Sequence, residues 1–189
     1  MPKTIVVKGR ELYNEQENKF YSVDETTLVL EHSLIAISKW EARFKKPFLK
    51  EGAISTPDEL IFYIKCMTIT PQKVDEHVYE LITQEQMNEI MQYIADPMTA
   101  TWFGEDKDPK KKRNKEIMTS EVIYYYMTAL QIPVEFQKWH LNRLMTLIRV
   151  CSIKNEEQYG EKPKMKKGDL LKRNAALNAQ RRAKMHSKG

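Results

Sequence analysis

The chain has 189 residues, 41% hydrophobic and 30% charged, with a formal net charge of +5. That suffices for one packed domain with an appendage, but no apolar run approaches the roughly 18 residues a membrane span needs. Two cysteines, Cys66 and Cys151, exclude a disulfide framework, and with no secretory leader pattern at the start they predict reduced, buried thiols and a cytoplasmic protein.

The charge is uneven. Residues 162–189 hold ten Lys/Arg and one acid, Asp169, so a mildly acidic body carries a basic tail. In chain order, residues 4–8 (TIVVK), 20–23 and 26–31 (TTLVLE) are β-rich, with a polar turn over 14–18. They predict a small antiparallel sheet whose edge needs cover from a helix or a second chain. Ser33 is positioned to cap a helix with Leu34, Ile37, Trp40 and Phe44 on one face, ended by Pro47. Thr56-Pro57-Asp58-Glu59 reads as a capping box opening a helix with Leu60, Ile64 and Met67 buried. A short helix over 75–82 follows. Thr83 and Gln86 form a second box before a helix lined by Met87, Ile90, Met91 and Ile94.

Residues 100–103 read as extended and 104–115 (GEDKDPKKKRNK) as a charged loop. Thr119 caps a helix over 121–132. Residues 133–155 (PVEFQKWHLNRLMTLIRVCSIKN) read as one long central helix, hairpinned to it through Gln131, Ile132 and Pro133. Residues 156–167 read as a polar linker, and 169–185 as a projecting basic helix or disordered tail. The expected fold is therefore α+β and predominantly α: a small N-terminal antiparallel sheet, a multi-helix bundle and a projecting basic C-terminal helix. The corresponding divisions are 1–32, 33–157 and 158–189.

Equipment for catalysis is sparse. The four histidines are scattered, neither cysteine has a partner at metal-ligand spacing, and nucleophile-elbow, phosphate-loop and dinucleotide motifs are missing. The expectation is a protein with no cofactor and no catalytic or metal site, in which His140 is a hydrogen-bonded core or boundary residue. Two basic stretches remain. The Lys110–Arg113 cluster follows Glu105, Asp106 and Asp108 and reads as a solvated loop. The tail, with Lys172, Arg173, Arg181 and Arg182, reads either as a contact for nucleic acid or an acidic protein surface, or as a solubilising segment.

Several blocks carry a family resemblance: His32-Ser33-Leu34-Ile35-Ala36-Ile37-Ser38-Lys39-Trp40-Glu41 with Lys46-Pro47-Phe48-Leu49, then Glu121-Val122-Ile123-Tyr124-Tyr125-Tyr126-Met127 with Gln137-Lys138-Trp139-His140-Leu141-Asn142-Arg143-Leu144, and finally Arg173-Asn174-Ala175-Ala176-Leu177-Asn178 with Arg181-Arg182. Over most of its length the chain resembles the tail assembly chaperones of tailed bacteriophages and prophages. That resemblance implies a non-catalytic, multimerising protein of the host bacterial cytoplasm that binds the tape measure protein while the tail tube forms. Trp40 and Trp139 would then be contact surface or core, and the basic tail residues a second candidate partner surface. The alternatives are a structural head–tail connector or tail-completion component, and a nucleic-acid-binding accessory acting through the tail.

Overall fold

The computed structural model describes residues 1–14, 18–103, 116–159, 176–178 and 180–181. Strands β1 (Lys3–Val7), β2 (Arg10–Asn14), β3 (Lys19–Val23) and β4 (Thr26–Leu30) come first. β1 pairs with β4 and β2 with β3, both antiparallel. Lys3 opposite Leu30 and Arg10 opposite Val23 belong to one continuous register. The expected sheet is thus a single long hairpin, interrupted where Lys8 and Gly9 pass Asp24 and Glu25. A Cβ on Gly9 would stand 2.6 Å from the Val23 carbonyl oxygen and 2.8 Å from the Glu25 nitrogen, so this close passage requires glycine.

Alternation sends Ile5, Val7, Leu28 and Leu30 into the core. Both edges of this inner half are covered, as a solvent-averse sheet requires. On one side Gln86 Nε2 donates to the Val6 carbonyl at 2.7 Å, and Lys3 pairs with Glu89 at 2.7 Å. On the other, Glu31 N donates to the Met67 carbonyl and Ile69 N to the Val29 carbonyl, each at 2.8 Å.

The helices are α1 (Leu34–Phe44), α2 (Pro57–Met67), α3 (Gln84–Ala95), α4 (Ser120–Ala129) and α5 (Leu141–Tyr159), with 3-10 turns at Glu76–Leu81 and Val134–Lys138. The fold is α+β and mostly helical. α1 packs on α2, α4 and the second 3-10 turn, and α3 lies along β1. Thr83 and Gln86 close a reciprocal capping box, and Thr119 caps α4 by accepting from Val122 N. Thr56 caps α2 by accepting from Glu59 N, but the Glu59 carboxylate accepts instead from Ser55 N, Ser55 Oγ and Lys46 Nζ. The box is therefore shifted by one residue, because Lys46 and the Ser55 hydroxyl add two donors that a plain box would not supply.

Four further expectations are corrected. Ser33 holds the N-cap position of α1 without a side-chain cap bond; its backbone forms an antiparallel bridge with His140. Residues 133–155 are not one helix: a 3-10 turn ends at Lys138, Trp139 is extended, and α5 begins only at Leu141. The bridge to Ser33 and the bond from Leu141 N to the His32 carbonyl at 2.8 Å fix this break, so tertiary pairing overrides local helix preference. α5 also continues to Tyr159, so residues 156–159 are helix and not linker. Finally, a corner does stand at Gln131, with φ 55°, but α4 already ends at Ala129 and, among the described residues, packs on α1 with no comparable packing on α5, so the expected hairpin is not formed.

The chain divides into two units, Met1–Cys151 and Ser152–Gly189. In the second, residues 176–178 and 180–181 are helical; the remainder of the expected basic tail, like the lysine loop at 104–115, lies outside the described residues. Among the described residues no helix is long and apolar enough to cross a membrane.

Candidate functional site

His32 follows β4 and His140 precedes α5, and the Ser33–His140 bridge brings these two chain segments side by side. Their rings lie 4.8 Å apart, both buried. Tyr63 of α2 and Tyr93 of α3 complete the cluster. His32 Nδ1 shares a 2.5 Å hydrogen bond with the Tyr63 hydroxyl, and His32 N donates to the Tyr93 hydroxyl at 3.3 Å. His140 Nε2 lies 2.9 Å from the Tyr93 carbonyl oxygen. A carbonyl can only accept, so Nε2 carries the proton and Nδ1 is a bare lone pair. Among the described residues that buried Nδ1 has no hydrogen-bond partner.

Burial, and then the neighbouring His140, lowers the His32 pKa to about 3. Burial also lowers that of His140, with the Tyr93 carbonyl and Asp96 acting in the opposite direction. Both rings are neutral at neutral pH. Cys66 is no nucleophile at that pH, because burial raises its thiol to about 11. Among the described residues no group of three His, Cys, Asp or Glu side chains is placed to hold a metal ion. The cluster is a buried junction of four segments with one proton acceptor left over.

Beside it opens a pocket of about 410 Å³ lined by Glu31, Tyr93, Lys138, Trp139, His140 and Arg143, with Met1, Pro2 and Met98. Here the sequence-predicted Trp139 does meet charged neighbours. Phe136 stacks on one face of its indole, centroids 4.1 Å apart and planes within 13°, while the Arg143 guanidinium lies 4.1 Å over the ring. Trp139 is half-buried.

The other predicted contact residues scatter. Trp40 is 0% exposed and its indole N–H donates to the Glu59 carbonyl at 3.0 Å, so of its two readings it is core. Arg181 is helical and exposed; Lys172, Arg173 and Arg182 lie outside the described residues. Sequence reasoning missed His32, Tyr63 and Tyr93 as one cluster, since the three sit on separate elements. It also missed Arg143, whose i+4 spacing from Trp139 was the available signal. No known protein family matches the chain, and neither a curated protein nor a solved structure matches it.

Proposed function

We propose that the chain is a non-catalytic bacteriophage tail assembly chaperone that binds the tape measure protein during tail morphogenesis and works as a multimer. The observation that carries this reading is how the two long blocks of resemblance fold together. Block one supplies α1 and the turn after it; block two supplies α4 and the start of α5. Ser33 of the first block bridges His140 of the second, and Glu41 of the first accepts at 2.8 Å from Ser120 N, the residue just before the second block. The surface is compatible with gripping another chain. Trp102 is 83%, Phe20 74% and Tyr125 67% exposed, with Ile117 and Val134 also open to solvent. A long helical client needs apolar contacts more than a reaction centre, and these side chains are free to supply them.

The test is co-expression with a tape measure protein. The reading predicts more soluble tape measure protein and a complex that co-elutes in gel filtration. A tape measure protein that precipitates equally with and without this chain would remove it. Finding the chain as a stoichiometric component of purified particles would favour the connector reading instead.

A further inference from the structure

We infer that the pocket beside Trp139 is a docking site for carboxylate side chains on an acidic helix of a protein partner, with Arg143 and Lys138 as the recognising cations. This rests on the chaperone reading for the partner's identity, but on the pocket alone for its chemistry. Phe136, Trp139 and Arg143 form a three-layer stack, which holds the guanidinium over the indole and limits its freedom before any ligand arrives. Such pre-organisation reduces the ordering cost of binding. Among the described residues neither Arg143 nor Lys138 has a carboxylate within ion-pair distance. Two unpaired cations face one lining carboxylate, Glu31, and the His140 ring at the wall is neutral. The local field therefore favours an anion.

The stack also decides which anion. A guanidinium held over a ring still has N–H groups to offer an anion, and carboxylates and phosphates accept from it in bidentate fashion. Single-stranded nucleic acid binds by stacking bases on open aromatic faces. Both faces of Trp139 are already occupied, one by Phe136 and one by Arg143, so no platform is left for a base. A helix with glutamates one turn apart fits better: its carboxylates meet the two cations and its apolar side enters against Met98.

The experiment titrates the full chain with a synthetic amphipathic helical peptide carrying Glu at i and i+4, and with its Gln twin, following anisotropy of a labelled peptide. The Glu peptide should bind at least about tenfold more tightly than the twin, the usual scale for one charge-assisted contact. Arg143→Ala should lose about tenfold, Arg143→Lys should recover only part of that, and Lys138→Ala should lose severalfold. Lys50→Ala, an exposed lysine elsewhere, controls for net charge. Circular dichroism melts check that each variant is folded, and Lys138, exposed at the pocket mouth, carries the test if the Arg143 variants are not. Equal affinity for both peptides, indifference to Arg143 and Lys138, or no binding at millimolar peptide overturns the proposal. So does tight, Arg143-dependent binding of oligo(dT) that displaces the peptide, which would assign the pocket to phosphate. The two readings fail separately. If peptide binding depends on Arg143 but no tape measure protein is solubilised, the pocket stands and the chaperone reading falls. If the tape measure protein is solubilised but the Glu peptide binds without regard to Arg143 and Lys138, the chaperone reading stands and the pocket falls.

Discussion

Glu41 stands one residue after Trp40 on α1, buried, and each of its carboxylate oxygens accepts a backbone N–H from a different segment: Phe48 of the turn after α1 and Ser120 at the start of α4. A buried carboxylate is tolerated when its lone pairs are satisfied, and the first N–H groups of a helix need acceptors anyway. Replacing it with alanine leaves one buried donor, Ser120 N, and one part-buried donor, Phe48 N, without these partners. We predict that Glu41→Ala lowers stability by about 1–3 kcal/mol, since an orphaned buried group costs ~1–3 kcal/mol and a part-buried one less. Glu41→Gln, which keeps one oxygen, should cost about half. Urea midpoints measure both, and a Glu41→Ala change under about 0.5 kcal/mol would mean the two bonds are dispensable. The tryptophans give a sharper contrast. Trp40→Ala should cost about 3–5 kcal/mol as a core truncation, whereas Trp139→Ala, on a half-buried stack, should cost about 1 kcal/mol or less beyond its lost ring contacts. Equal losses for the two would contradict the placement of Trp139 at a pocket mouth.

At the scale of elements, the N-terminal hairpin depends on one glycine. Gly9→Ala forces a methyl against backbone that cannot rotate away, and we predict a loss of about 1–3 kcal/mol, the range for overpacking. Gly52→Ala is the comparison: it faces open space and pays only for its φ of 72°, roughly 1 kcal/mol. Thermal melts should rank Gly9→Ala below Gly52→Ala; the opposite order would mean that the two halves of the hairpin are not held together at this crossing. The strands, the α1 stripe and the Thr83 box were legible because period-two alternation, 3.6-residue spacing and cap chemistry are local signals. The break at Trp139 was not, because the force that makes it is a backbone bridge to Ser33, more than a hundred residues earlier. α3 shows a smaller version: Met91 was expected in the stripe but is exposed, while Tyr93 is buried because its hydroxyl and carbonyl bond the two histidines. The Trp139–Arg143 spacing was readable in advance; that both cations lack carboxylate partners among the described residues was not, since that depends on every element around them.

For the whole molecule, the histidine junction links folding to pH. His32 is faced by Tyr63, Tyr93, Phe48 and His140, with Asp96 acting on His140, and among the described residues no carboxylate pairs with His32 itself. In the folded state it resists protonation until about pH 3, against 6.5 for the ordinary side chain. Between those values the unfolded chain binds a proton that the folded chain refuses, so stability falls as pH drops. The loss begins near the ordinary value, reaches about 2 kcal/mol by pH 5, and approaches ~4 kcal/mol near the folded pKa. His140, also lowered, adds in the same direction. Glu59 acts later: its carboxyl, held at about 2 by the bond from Lys46 and then those from Ser55, contributes stability that is lost only as pH falls below the ordinary carboxylate value of 4.5. The window from neutral pH down to about pH 5 therefore belongs to the histidines alone among these shifted groups. Urea unfolding at several pH values should show a steep decline there in the natural chain and a shallower one in His32→Gln. The double variant with His140→Gln should be nearly flat, even if both variants are less stable at neutral pH. The slope, and not the absolute stability, is the readout: an unchanged slope in the double variant would mean that other groups carry the acid sensitivity and that the junction is not buried in neutral form.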